Sequence, residues 1–253
     1  MVKKPPALND FALPAPGLRR RGIPEDRIRI EGARYAFEPA DSSTASNGKT
    51  FEAIKQKKAE LAKLEDAQLL NLFQDGEETA FYVLFERRQK EIYTHCYRMC
   101  ARDAEKANDA FQDTFVKVFT RKDLFTDSAN GRAWLYRIAT NTCLNLLRYD
   151  KRHPHDELDE RIDSVDPRLQ PDFGTEQDSL RTSLEHAVAK LPIELREPFL
   201  LRELEEFSYE DTAEQLGITV AACRQRVYRA KQLLREDLHE VMTGEPSKGG
   251  NRI

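Results

Sequence analysis

The sequence predicts an all-α protein: two small helical domains joined by a flexible acidic linker, behind a largely disordered N-terminal extension. Apolar residues recur at helical spacing in two blocks, 65–152 and 180–243. Between them, 153–179 carries Pro154, Pro167 and Pro171 among many acids, a composition that cannot bury enough surface to fold alone. A third of the chain is charged, which favours small helical cores over one broad core.

Residues 1–48 hold six prolines, the run Arg19-Arg20-Arg21 and a polar cluster at 41–48, and read as a disordered extension. Phe51, Ile54, Leu61 and Leu64 then appear at helical spacing among lysines and glutamates, predicting an additional helix at 49–64. That helix has three readings: a lengthening of the first domain, a surface for a partner, or a cover over another surface. In 65–152, Asp66 is the expected cap of a helix at 67–73, and Gly76 breaks the chain. Residues 80–101 place Phe81, Leu84, Phe85, Ile92 and Tyr93 on one buried stripe, packed antiparallel to the preceding helix. A third helix is expected at 104–119 and a fourth at 133–148, separated by a polar loop with Asp127, Ser128, Asn130 and Gly131. In 180–243 helical periodicity returns, interrupted at Pro192 and Gly217, and 244–253 reads as a frayed tail.

Several function classes are excluded early. A net charge of −4 argues against a uniformly basic nucleic-acid coat, although local blocks of opposite sign survive the averaging. No stretch approaches the roughly 18 apolar residues of a membrane span, and the N-terminus lacks the apolar core of a signal peptide, so a cytoplasmic protein without membrane insertion is expected. Cys96, Cys100, Cys143 and Cys223 read as thiols packed in helices. Cys96 and Cys100 share a face beside His95, but two thiolates and one imidazole leave a tetrahedral metal site incomplete. His153 and His155 have no neighbouring ligands. With no phosphate loop, nucleophile triad or paired-carboxylate motif, no enzyme, metal or cofactor is expected.

The sharpest local signal runs from Ser208 to Ala230. Ser208 is placed to cap one helix, Gly217 permits a left-handed turn, and Thr219 can cap the next helix at once. Ala213 is small where two helices must cross closely, while Leu216, Ile218, Cys223, Val227 and Leu234 fall at core intervals. The remaining face carries Ala222, Arg224, Gln225, Arg226 and Arg229, continued by Lys231 and Arg235. This is a helix-turn-helix whose second helix suits the major groove, where arginine pairs with guanine and glutamine with adenine.

With that motif identified, Leu195 to Leu238 resembles region 4 of sigma-70 family proteins, and Glu65 to Arg152 resembles their region 2, in the family's order. Leu191-Pro192 and Arg196-Glu197-Pro198-Phe199 are similar to the opening of region 4, and Ser208-Tyr209-Glu210-Asp211-Thr212-Ala213 to its helix-turn-helix entry. The helix from Asp103 to Phe115 is similar to region 2.2. Its apolar stripe leaves Asp109, Gln112 and Asp113 together outside at i, i+3, i+4. The resemblance implies that these three dock on the clamp helices of the largest subunit of bacterial core RNA polymerase. Lys106 and Asp113 depart from the family's commoner Asp and Glu.

Gly131 to Arg148 resembles regions 2.3 to 2.4. Arg137, Asn141, Arg148 and Lys151 fall within one stripe at about 100° per residue. The resemblance implies that this stripe, with Asp127, Ser128 and Asn130 of the preceding loop, captures single-stranded DNA at the −10 element, with Asn141 facing an extruded base. Trp134, among Leu135, Ile138 and Ala139, reads as core. It likewise implies that Thr219, Ala222, Arg224, Gln225, Arg226 and Arg229 contact double-stranded DNA at −35, with the flap of the second-largest polymerase subunit as a further partner. The lack of a region 1.1, of a full region 3 and of an aromatic-rich melting motif points to the extracytoplasmic-function class, in which the acidic linker threads the polymerase cleft and an anti-sigma factor is a partner class. The alternative is a helix-turn-helix transcriptional regulator that acts without polymerase docking.

Overall fold

A computed structural model describes residues 55–126, 130–152 and 179–243, and every regular element among them is helical. The expectations for 1–48, for the linker at 153–178 and for the tail at 244–253 lie outside these residues.

Residues 55–61 form helix α1, which packs on the first bundle through Leu61 in the core, Lys58 paired to Glu86 at 2.6 Å, and Arg87 Nη2 donating to the Ala62 carbonyl at 2.8 Å. Helix α2 spans Asp66–Gln74 and α3 spans Glu78–Met99. Asp66 is not the cap. Glu65 takes that place in a capping box with Gln68, and Asp66, buried in the first turn, accepts from Arg87 Nη1 and Arg88 Nε at 2.8 Å each. An acid there also suits the positive end of the helix.

Helix α4 spans Ala104–Thr120, capped by Asp103, whose side chain accepts from the Lys106 amide at 3.1 Å. A short 3-10 turn, Lys122–Leu124, leads toward α5, Gly131–Arg152, which starts two residues earlier and ends four later than its periodicity suggests. Asn130 explains the early start, since its Oδ1 accepts from the amides of Arg132 and Ala133 at 3.0 and 3.3 Å. The core of α2–α5 is aromatic, with Phe73, Phe81, Phe85, Phe111 and Phe115 linked by edge-on and tilted contacts of 4.7–6.4 Å. Trp134 packs there too, edge-on to Phe125. The four cysteines are buried free thiols. Cys100, hydrogen-bonded to Cys143 and buried, is pushed up out of the thiolate range.

The second bundle contains α6, Ser179–Lys190; α7, Ile193–Phe199; a wide i→i+5 turn, Leu200–Leu204; α8, Tyr209–Leu216; and α9, Val220–Thr243. The wide turn follows Pro198, which has no N–H to continue the α ladder. The chain then bends at Glu206, in the left-handed region at φ 60°. Periodicity does not predict this second break. The two bundles are packed together: apolar residues of α3 and α5 and of α6–α9 belong to one continuous buried cluster, while Ala213, Cys223 and Val227 make a small separate core inside the helix-turn-helix.

Candidate nucleic-acid interface

The caps read from the sequence form as expected around α8 and α9. Ser208 Oγ accepts from the Asp211 amide at 2.9 Å, Gly217 turns at φ 64°, and Thr219 Oγ1 accepts from the Ala222 amide at 3.1 Å. Together they hold α9 rigidly across α8. On α9, Arg224, Gln225 and Arg229 face solvent, with Thr219 exposed at its start and Ala222 half-buried. Arg226 differs. Its guanidinium turns inward to Glu197 on α7 at 3.7 Å, and Lys231 turns to Glu203 at 2.6 Å, so neither lies on the open face. The helix itself carries no opposing acid between Thr219 and Arg235, but the neighbouring turns supply them.

Two residues of this surface escaped the sequence reading. Tyr209, the first residue of α8, lies beneath two guanidinium groups, with Arg202 at 4.8 Å and Arg224 at 5.3 Å from its ring centre. This stacking, with Glu210 Oε1 at 3.5 Å, holds Arg224 on the outer face. Tyr228 is 59% exposed on the same side of α9 as Arg224, its hydroxyl accepting from Gln232 Nε2 at 3.0 Å. An exposed aromatic one turn beyond an arginine was the available signal.

On α5 the expected stripe does not lie evenly on the surface. Arg148 and Lys151 are exposed, Arg137 is half-buried, and Asn141 is only 8% exposed, with its amide nitrogen lacking a protein partner among the described residues. Helical period alone places Asn141 with the cations, but in the folded chain it is buried. Asn130 is exposed and occupied as the α5 cap, while Asp127 and Ser128 lie outside the described residues.

On α4, Asp109, Gln112 and Asp113 are half-buried along the outer face, opposite buried Ala107, Ala110, Phe111, Thr114 and Phe115. Lys106, a departure from the family pattern, bridges Asp103 at 3.3 Å and Asp150 at 3.2 Å, tying α4 to the end of α5. No group of three or more metal-ligating side chains is present among the described residues, and His95 turns instead to Thr140, at 3.0 Å.

Electrostatics separate the inward charges from the outward ones. Glu197, nearly buried, has its carboxyl raised to about 7 by burial, against the pull of Arg226 and Arg148. Burial also acts to raise Glu205, but His95, Tyr136 and Arg132 outweigh it and its carboxyl is lowered. Burial lowers Arg196, which spends its donors on the carbonyls of Met99, Ala189 and Leu191 at 2.7–2.8 Å.

Comparison with known proteins bears on the whole arrangement. The family described as Sigma-70 region 2 matches residues 84–153, and Sigma-70, region 4 matches 181–234. The ECF RNA polymerase sigma-E factor of Haemophilus influenzae is 31% identical over 71% of this chain and 98% of its own length. The RNA polymerase sigma-H factor of Pseudomonas aeruginosa is 30% identical over 72% and 98%. Among solved structures, the sigma factor RpoE of Bartonella quintana, in complex with the anti-sigma factor NepR, matches with a TM-score of 0.50 at 27% identity, over 61% of this chain and 94% of that one. The likeness extends over nearly the full length of these relatives rather than over a DNA-binding module alone, and the chain accordingly belongs to the extracytoplasmic-function sigma factors of the sigma-70 family, an alternative sigma factor directing transcription with RNA polymerase.

Proposed function

We propose that this sigma factor acts in the cytoplasm, docks on core polymerase through the outer face of α4, and reads promoters with α5 at −10 and α9 at −35. The observation that carries the reading is α9 itself: a capped, rigidly crossed helix presenting Arg224, Gln225 and Arg229 to solvent, with Tyr209 stacked under Arg224. Asp109, Gln112 and Asp113 meet the clamp helices of the largest subunit, and region 4 meets the flap of the second-largest. Arg224 and Gln225 make base contacts in the major groove, while Thr219, Ala222 and Arg229 follow the backbone. Arg226 joins them once it leaves Glu197. At −10, Arg137, Arg148 and Lys151, with the loop of Asp127, Ser128 and Asn130, track single-stranded DNA, and Asn141 offers its unpaired amide to an extruded base. An anti-sigma protein is a further partner, a reading supported by the Bartonella complex.

The test is run-off transcription with bacterial core polymerase and a library of promoter fragments, comparing the wild-type chain with Asp109→Arg/Asp113→Arg. Defined transcripts from the wild type and at least tenfold fewer from the double variant are expected. DNA binding without polymerase, and no initiation with it, would establish the regulator reading instead.

A further inference from the structure

The last turn of α2 carries no cation of its own, although the negative end of a helix favours one and its final carbonyls have no partner further along the helix. Lys122 of the 3-10 turn supplies it. Its ammonium donates to the carbonyls of Phe73 at 2.8 Å and Gln74 at 3.3 Å, and stands 4.7 Å from the centre of the Phe73 ring. The exchange is mutual, since Gln74 Nε2 donates to the carbonyls of Lys122 at 2.6 Å and Phe125 at 2.8 Å, using both hydrogens of its amide. One side chain of α2 thus holds the start and the end of the turn, and one side chain of the turn holds the end of α2.

The chain then passes into α5 along the same helix. Phe125, 3% exposed, stands edge-on to Trp134 of α5 with ring centres 5.4 Å apart. Asn130 caps α5 with its side chain, while its carbonyl accepts from the Trp134 amide at 2.9 Å. Next to it, Gly131 lies against the first turn of α2, where a Cβ would meet the Ala67 amide nitrogen at 2.6 Å. The connection between α4 and α5 is therefore fixed to the last turn of α2 at one end and to its first turn at the other, and the rise of that helix sets the two points about 10 Å apart.

We propose that Gln74 and Lys122 are positioning residues for the −10 contact: their reciprocal bonds fix where the connection between α4 and α5 begins, and with it how Asn130 and the first turn of α5 are presented to DNA. The inference rests on the sigma-factor reading for this consequence but not for the lock between α2 and the turn. All four bonds run to main-chain carbonyls, so they place the backbone whatever side chains the connection carries. Neither Gln74 nor Lys122 has to touch DNA. Recognition of one base over another needs its contacting groups held to within about 0.5 Å by the residues behind them. Freeing one end of the connection spreads it over many arrangements, and the choice between bases is lost before the ability to initiate.

The test uses the full chain with Gln74→Met, Lys122→Met, both together, and Lys122→Arg, which keeps the charge and the donors. Circular dichroism confirms that each variant is folded. Hydrogen exchange reports the turn through the amides of Leu124 and Phe125, which donate to the carbonyls of Arg121 and Lys122 at 3.0 Å each. Run-off transcription with core polymerase, from promoter fragments differing by single bases at −10, reports the ratio between the preferred base and the others. A variant that only lowers stability reduces output from every fragment alike and leaves that ratio unchanged. Each methionine variant is expected to exchange the two amides at least tenfold faster and to lower the base ratio about fivefold. The double variant is expected to do little more than either single, because the two side chains act as one unit, and Lys122→Arg to keep the wild-type ratio. Unchanged exchange in both single variants refutes the lock, and faster exchange with an unchanged base ratio refutes the positioning role. If exchange responds as expected while even the wild type initiates no transcription, the lock stands and the sigma-factor reading falls.

Discussion

Glu197 poses the question of whether a nearly buried carboxylate is held by its arginines or merely tolerated beside them. At 3.7 Å the Arg226 contact is too long for a hydrogen bond, so burial wins and the carboxyl rises to about 7, with Glu194 adding repulsion. The sign follows directly. A raised carboxyl favours the folded protein in its neutral form, so its stabilisation is complete below pH about 4.5 and is lost as pH rises through about 7. Glu197→Gln fixes the neutral form. It is expected to match the wild type near pH 4.5 and to be more stable at pH 8, by up to about 3 kcal/mol. Urea titrations at the two pH values check this, and a variant less stable at pH 8 would show that the pair with Arg226 outweighs burial. Ser208, Gly217 and Thr219 stand at the other extreme, because each acts on backbone within three residues of itself and was legible without any tertiary information.

At the scale of the helix, periodicity tells which face is apolar but not what a neighbour does to the polar one. That is why the aromatic stripe of α3 and the outer triplet of α4 emerged from spacing alone, while Asn141, on a polar stripe, is buried. It is also why Arg226 and Lys231, outward on a helical wheel, turn to Glu197 and Glu203 of the preceding turns. The break at Glu205–Phe207 was hidden because its residues carry no glycine and its only proline, Pro198, precedes it by a turn or more. A related closeness governs the start of α5, where Gly131 lies against the first turn of α2. A Cβ at Gly131 would stand 2.6 Å from the Ala67 amide nitrogen and 2.8 Å from the Asp66 carbonyl carbon, both backbone atoms that cannot step aside. Gly131→Ala is therefore expected to cost about 1–3 kcal/mol through displacement of one helix by the other. It should appear as a lower urea midpoint at unchanged m-value.

For the whole molecule, the buried apolar cluster passes from α3 and α5 into α6, α7 and the turn at Leu200, so the bundles share one core across their boundary. A body with a continuous core melts as a unit when the coupling between its parts exceeds what either loses by unfolding alone. The second bundle, with a small core of its own, is the part that depends on that coupling. Wild-type protein is thus expected to give a single calorimetric transition whose van't Hoff and calorimetric enthalpies agree. Arg98→Glu sets two acids against each other at the boundary, with Glu185 already buried. Losing even 1 kcal/mol there would bring the melting of a bundle of this size forward by about 4–8 °C. The expected outcome is two resolved transitions, the lower belonging to α6–α9 and identifiable by the early loss of protection of the α9 amides from hydrogen exchange. A single, unshifted transition in the variant would mean that the apolar boundary alone couples the bundles, and that the ion pair only orients them.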